Sequence, residues 1–403
     1  MRPDREARRA ARRRVIRRRR AVALGTLFAI IAMAAIASGE DGDGHRAGAR
    51  SAAGADSPTA PGGWGASGVT PASRASSRGI ARASANLAPG SDPSVLPGPV
   101  LIADRDNNRL LEVAPTGQVL WRFPAKESLS SGETFLVPDD AFYSPDGRRV
   151  IVTQEDDFVI SVIDLARQRI VYRYGHPGVP GSEAGYVHNP DDALLTPSGE
   201  IVAADIKNCR LIVVRPPAHE VARQLGSTGN CAHELGSSYG SPNGAFPLSD
   251  GGLAITEING DWLDLLNGKG QAWRAIHPPG FSYPSDTNQV RPGLFLSVDY
   301  TNPGAIEAFT ADGRLLWRYA PQGAQALNQP SLALPLPNGD VLANDDANHR
   351  VIVVDPRTNQ VVWQYGHTGV PGAGDGFLNN PDGVDLSPPY SLAIRYGATL
   401  RAP

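Results

Sequence analysis

A proline followed by a small polar or acidic residue recurs six times in this chain: VPDDAF at Pro138, NPDDAL at Pro190, SPNGAF at Pro242, YPSDTN at Pro284, QPSLAL at Pro330 and NPDGVD at Pro381. Copies of one motif in a repeat fold point their side chains at one place. Asp139, Asp140, Asp191, Asp192, Asn243, Asp286 and Asp382 are therefore expected to converge. Converging carboxylates repel one another unless they are protonated or bridged by a cation. Hard oxygen donors suit calcium, and Asp139, Asp191, Asp286 and Asp382 are its expected ligands. The competing role is local, since Asp and Asn also cap turns by accepting from nearby backbone N–H groups.

A second series of residues ends the strand that follows each motif: Asp104, Gln154, Asp205, Glu257, Asp299 and Asp345. Asp104 with Arg109, Asp205 with Arg210 and Asp345 with Arg350 share one spacing, which predicts a repeated ion pair that fixes a turn. Glu257 joins the convergent group as a candidate ligand-binding residue. An enzyme would need two or three of His188, His233, His277 and His349 within ligand distance around Asp192 or Glu257, and no histidine pair has a metal-binding spacing such as HExxH. His176 and His367 lie in two near-identical loops, YGHPGVPG and YGHTGVPG, and are read as loop packing. Cys209 and Cys231, the two cysteines of the chain, fall on one face and are expected to form a disulfide that pins a loop over the mouth. No Gly-rich phosphate loop and no G-x-S-x-G elbow is present.

The elements that would position these residues follow from the motif intervals of 52, 52, 42, 46 and 51 residues, the length of a four-stranded propeller blade. Each interval holds an inner strand, a turn such as SPDG or LPNG, a second strand (IVAAD, LFLSVD), a third (RLIVV, RVIVV), another turn and an outer strand (VLWRF, VVWQY). Trp121, Trp273, Trp317 and Trp363 share one place in the outer strand and are expected to pack between blades. The first copy lacks its inner strand and the last consists of little else. A C-terminal strand should therefore complete the N-terminal blade, giving an all-β, six-bladed β-propeller over residues 97–392 and a tail over 393–403. Alternating strand direction then places the Pro-Asp starts, the turns between second and third strands and the blade-to-blade loops on one face.

The strings IADRDNNRLLEV, AADIKNCRLIVV and NDDANHRVIVVD resemble NHL-type repeats, while APTGQVLWRF and DPRTNQVVWQY resemble the PQQ-like propeller repeat. The stretch from Gln329 to His367 is also similar to a blade of bacterial arylsulfotransferases. Those enzymes use a histidine at the start of an inner strand, and all six equivalent starts here lack one. Quinoprotein dehydrogenases resemble eight-bladed rings with adjacent cysteines, whereas these cysteines stand 22 residues apart. The resemblances imply the fold and transfer no activity.

Residues 1–20 contain eleven arginines against Asp4 and Glu6, so with a whole-chain charge of −3 the remainder carries −12. That remainder would repel a polyanion, which excludes nucleic acid as a partner. The uncharged segment Ala21–Ser38 next to the arginines reads as a membrane anchor, with the basic residues cytoplasmic and everything after it translocated. Cleavage near Ala37, giving a secreted form, is the alternative. Residues 39–96, rich in Ala, Gly, Ser and Pro, read as a disordered linker. The resulting expectation is a membrane-tethered extracytoplasmic propeller whose acidic face binds a small ligand, a glycan or an envelope protein. The alternative is an enzyme at the same mouth, either arylsulfotransferase-like or a metal-dependent lyase.

Overall fold

A computed structural model describes residues 84–393. The basic segment, the expected anchor, most of the linker and the last ten residues lie outside it. Among the described residues no helix is long and apolar enough to cross a membrane.

Short apolar runs separated by glycine and asparagine turns fold into twenty-four strands. In chain order they are β1 Val100–Asp104, β2 Arg109–Val113 and β3 Val119–Phe123, then β4 Ala141–Tyr143, β5 Arg149–Gln154, β6 Val159–Asp164 and β7 Arg169–Gly175. The third group is β8 Pro190–Leu195, β9 Ile201–Asp205, β10 Arg210–Val214 and β11 Val221–Leu225; the fourth is β12 Pro242–Pro247, β13 Leu253–Glu257, β14 Trp262–Leu266 and β15 Ala272–Ile276. Then follow β16 Pro284–Arg291, β17 Leu294–Asp299, β18 Ala305–Thr310 and β19 Leu315–Tyr319. The last are β20 Ala333–Pro335, β21 Val341–Asp345, β22 Arg350–Asp355, β23 Gln360–Gly366 and β24 Pro381–Leu386.

These strands form six antiparallel four-stranded sheets, and β24 is the inner strand of the first, in the order β24-β1-β2-β3. The inner strands meet in turn from β4 to β20, and β24 contacts β21 of the last blade and β4 of the second. The expected six-bladed closure is what the chain forms. Each blade is covered on both faces, which is why its middle strands are apolar throughout rather than alternating. On β9, Val202 faces blade four with Ala204, and Ile201 and Ala203 turn to the opposite side.

Two of the outer-strand tryptophans pack as expected. Trp317 and Trp363 are fully buried, and their indole N–H groups donate across the blade boundary to Asn359 Oδ1 (2.7 Å) and Pro115 O (2.8 Å). Trp273, by contrast, is 51% exposed, so the shared position does not impose burial on blade four. The end of the expected linker is also part of the folded unit. Ala88 N donates to Gln364 O, Asp92 N to Val362 O and Asn86 Nδ2 to Gly117 O, while Leu87, Val95 and Leu96 are buried. Leucine and valine inside an otherwise Ala/Gly/Ser/Pro stretch supply the apolar area that docks it.

Candidate functional site

Arginine, asparagine and aspartate at fixed spacing build the turn after each second strand. Asp104, Asp205 and Asp345 each accept from the arginine Nε five residues on, at 2.6, 2.8 and 2.7 Å. Each also accepts from the side chain of Asn107, Asn208 or Asn348, and from a backbone N–H of the preceding blade-to-blade loop (Asn379, His188, Asn328). Every lone pair facing the protein is used, so these aspartates are turn anchors. Gln154 takes their place in blade two, donating to Leu136 O and accepting from Ser161.

The inner-strand starts behave differently. The residue before the motif proline has a left-handed backbone in five blades: Val137 (φ 44), Asn189 (φ 54), Ser241 (φ 57), Gln329 (φ 56) and Asn380 (φ 56). In β8, β12, β16 and β24 the register against the second strand then slips by a bulge at the motif. A bulge sets two residues against one and breaks strict alternation of side-chain direction. The first motif residue of every blade, Asp139, Asp191, Asn243, Ser285, Ser331 and Asp382, accordingly lines one axial cavity of about 230 Å³. Around them stand Arg105, Glu155, Ile206, Tyr283 and Tyr300, from the loops and turns of the same face.

The second motif residue forms a deeper layer. Oxygens of Asp140, Asp192 and Asp286 lie within 4.8 Å of one another, and all three side chains are buried. Gly244 and Gly383 occupy this layer in two other blades. A Cβ at Gly383 would sit 2.6 Å from Asp140 Oδ1, and one at Gly244 3.1 Å from Asp286 Oδ1, so glycine is what lets the carboxylates approach. Below, Phe142, Leu194, Phe246 and Leu334 are buried and belong to one apolar cluster, with Phe142 edge-on to Phe246 at 5.7 Å. The acidic layer thus has an apolar floor.

Arg105 is the cation of this cavity. Its guanidinium contacts Asp139 and lies 2.9 Å from Asp382, 2.7 Å from Glu155 and 3.1 Å from Asp156. Asp191 and the deeper acids lack such a partner. Burial, then neighbouring carboxylates, push Asp140, Asp192 and Asp286 well above the usual carboxylate range. Burial does the same to Asp191, with Glu155 and Asp382 adding to it and Arg105 opposing. Oδ1 of Asp140, Asp192 and Asp286 and Oδ1 of Asn243 are buried with no hydrogen-bond donor.

The four residues expected to hold calcium are not brought together as one set. Asp139 and Asp382 are engaged by Arg105, Asp191 clusters with Asp139 and Asp140, and Asp286 belongs to the deeper group with Asp140 and Asp192. Glu257 is not among the residues that line the cavity. It lies under the loop of blade four, where it accepts from Gly240 N–H and sits 3.1 Å from His233 Nδ1. Of the four histidines considered for catalysis only His233 reaches one of the named acids. His277 Nδ1 lies 3.0 Å from Asp261 O, and His349 Nδ1 accepts from Asn380 N–H. His176 and His367 pack on Tyr186 and Phe377 in matching fashion. The disulfide Cys209–Cys231 is present, with a Cα separation of 5.1 Å. Arg105 was not singled out by the sequence reading; the signal was a lone basic residue directly after Asp104, where the other blades carry Glu155, Ile206, Ile258, Tyr300 and Asp346.

Residues 269–379 match the profile of the family described as outer membrane protein assembly factor BamB. No curated protein matches the sequence. Among solved structures, a protein of unknown function from Bacteroides caccae superposes with a TM-score of 0.50 at 13% identity, covering 72% of this chain and 98% of that one. A streptogramin B lyase gives 0.41 at 18% identity, covering 58% and 70%. The WD40 propeller domain of Doa1 gives 0.43 at 14% identity, covering 64% and 77%.

Proposed function

We propose that this six-bladed β-propeller, whose residues 269–379 match a PQQ-like repeat profile, is a membrane-tethered extracytoplasmic binding module whose axial cavity takes a compact cationic group. That group is carried by a small solute, a glycan or an envelope protein. The observation that carries the reading is the ring of six motif residues, one from each blade, around a cavity whose carboxylates outnumber its single arginine. Asp191 and Glu155 supply the attraction, Asn243, Ser285 and Ser331 supply hydrogen bonds, and Tyr283 and Tyr300, 5.3 Å apart, offer π faces. Tethering is supported by the arginine-flanked segment Ala21–Ser38, and an oxidising compartment by the disulfide.

Calcium at Asp140, Asp192 and Asp286 is the second reading, favoured by their donor-less oxygens. Calorimetric titration of the full-length protein with lysine, an amino sugar and calcium tests both. An amine that binds the parent and fails with Asp191→Asn supports the first reading. Calcium binding lost with Asp192→Asn supports the second. Neither amines nor calcium binding would overturn both. Protease protection in intact cells and membrane fractionation test the tether.

A further inference from the structure

Blade four departs from the charge pairing that three other hairpins share, as blades two (Gln154 opposite Val159) and five (Asp299 opposite Ala305) also do. Where Asp104, Asp205 and Asp345 face an arginine across the turn, Glu257 pairs in register with Trp262. Two residues further along the third strand, where blades one, three and six carry Leu111, Ile212 and Ile352, stands Asp264; blade five also has an acid there, Glu307, but pairs it with Arg318, a cation that blade four lacks. The repeat has therefore lost its cation and gained a second carboxylate, and both acids are fully buried. Apart from the nearby backbone N–H of Gly236, Asp264 has no hydrogen-bond donor, and the adjoining buried hydroxyl of Tyr239 has no partner. An uncompensated buried charge costs several kcal/mol, so a proton or a cation must balance it.

The neighbouring loop supplies one further donor. His233 projects from the segment held by the disulfide at Cys231, with Nδ1 3.1 and 3.2 Å from the two oxygens of Glu257 and 3.9 Å from Asp264. Its ring lies on Trp262 at 4.2 Å and 13°, and His277 covers the other side of that indole at 3.5 Å. Donor atoms of His233, Glu257 and Asp264 all lie within 4.8 Å of one another, which is a span one ion can bridge. We propose that His233, Glu257 and Asp264 form a site for a divalent transition-metal ion of the zinc class. One imidazole nitrogen with two carboxylates is a mixed donor set that zinc accepts and that an all-oxygen calcium site would not use. His233 remains partly exposed, leaving a side of the ion for water or a further ligand. This site is separate from the axial cavity, whose lining contains none of the three residues.

The test uses the full-length protein, stripped with chelator and titrated with zinc alone by calorimetry, with thermal unfolding in parallel. The expected result is one equivalent bound with a dissociation constant below about 10 μM, and a melting temperature that rises with zinc. His233→Ala removes a ligand outright, so it should weaken binding by at least the roughly 10–100-fold that losing an outer-shell partner costs. Asp264→Ile restores the residue type of Ile212 and Ile352. It should fold at least as stably as the parent in chelator and show no zinc-dependent rise. Asp191→Asn, in the axial cavity, should leave zinc binding unchanged, which separates this site from the cation reading above. Absence of zinc binding, or binding that persists in Asp264→Ile, would overturn the proposal.

Discussion

Replacing Arg105 with methionine keeps the length of the side chain and deletes its charge. Asp156 is 62% exposed and its share is small, but Asp139, Asp382 and Glu155 are 4%, 11% and 22% exposed. At an effective dielectric of about 20, a contact near 2.8 Å is worth on the order of 6 kcal/mol of attraction. Desolvation and repulsion among the acids offset most of that, and the net cost of breaking such a buried cluster is about 3–5 kcal/mol. Arg105 stands on the turn of blade one and grips blade two and the closing strand, so the loss should register as global stability. The acids can relieve the defect by taking up protons. Burial already raises Glu155 against the pull of Arg105, and without the arginine the acids of the cluster should rise further. The variant's folded state would then bind more protons than its unfolded state, so its stability falls as pH rises above the ordinary carboxylate range. Urea unfolding at pH 5 and pH 7.5 reads this directly: the deficit should be larger at the higher pH, while cation binding in the cavity tightens. A deficit under about 1 kcal/mol at pH 7.5, or one independent of pH, would refute the reasoning.

Three further outcomes follow from local geometry. Opening the disulfide with Cys209→Ser and Cys231→Ser should cost about 3 kcal/mol in urea unfolding, from the loop entropy of a 22-residue separation. Val137→Asn should stabilise by on the order of 1 kcal/mol, because a β-branched residue is held at φ 44 where blades three and one carry Asn189 and Asn380; an unchanged urea midpoint would count against strain there. Gly383→Ala should destabilise by about 1–3 kcal/mol and weaken any ligand of the deeper layer, since its Cβ meets Asp140 at Oδ1 and Cα.

The ring and its closure were legible because a 42–52-residue spacing repeats, and so were the Asp104–Arg109, Asp205–Arg210 and Asp345–Arg350 turns, which are contacts five residues apart in one hairpin. The sorting of Asp191 from Asp192 was not. It depends on a bulge, and a register slip of one residue leaves no mark on local composition. Arg105 escaped notice for a related reason: it acts on Asp382, 277 residues away, and on a different blade through Glu155. Glu257 was expected at the mouth, but like Asp104, Asp205 and Asp345, which also end second strands, it does not line the cavity. The burial of Leu87, Val95 and Leu96 was hidden by the polar, small-residue stretch around them.

The docking of residues 84–96 has a mechanical meaning. This segment adds itself to the outer edge of β23 through the Ala88–Gln364 and Asp92–Val362 hydrogen bonds, with Leu87 bridging Tyr365, and it reaches blade one at Thr116 and Gly117. A pull arriving from the N-terminal side is therefore taken up on the rim, across the seam between the last blade and the first. It reaches β1 only after that clasp has been peeled away. The pairing of β24 with β1, which joins the C-terminal strand into the first blade, lies on the inner side of the sheet and is spared the first load. Tension would undo the fold from the outside inward, leaving the acidic cavity intact until the clasp has gone.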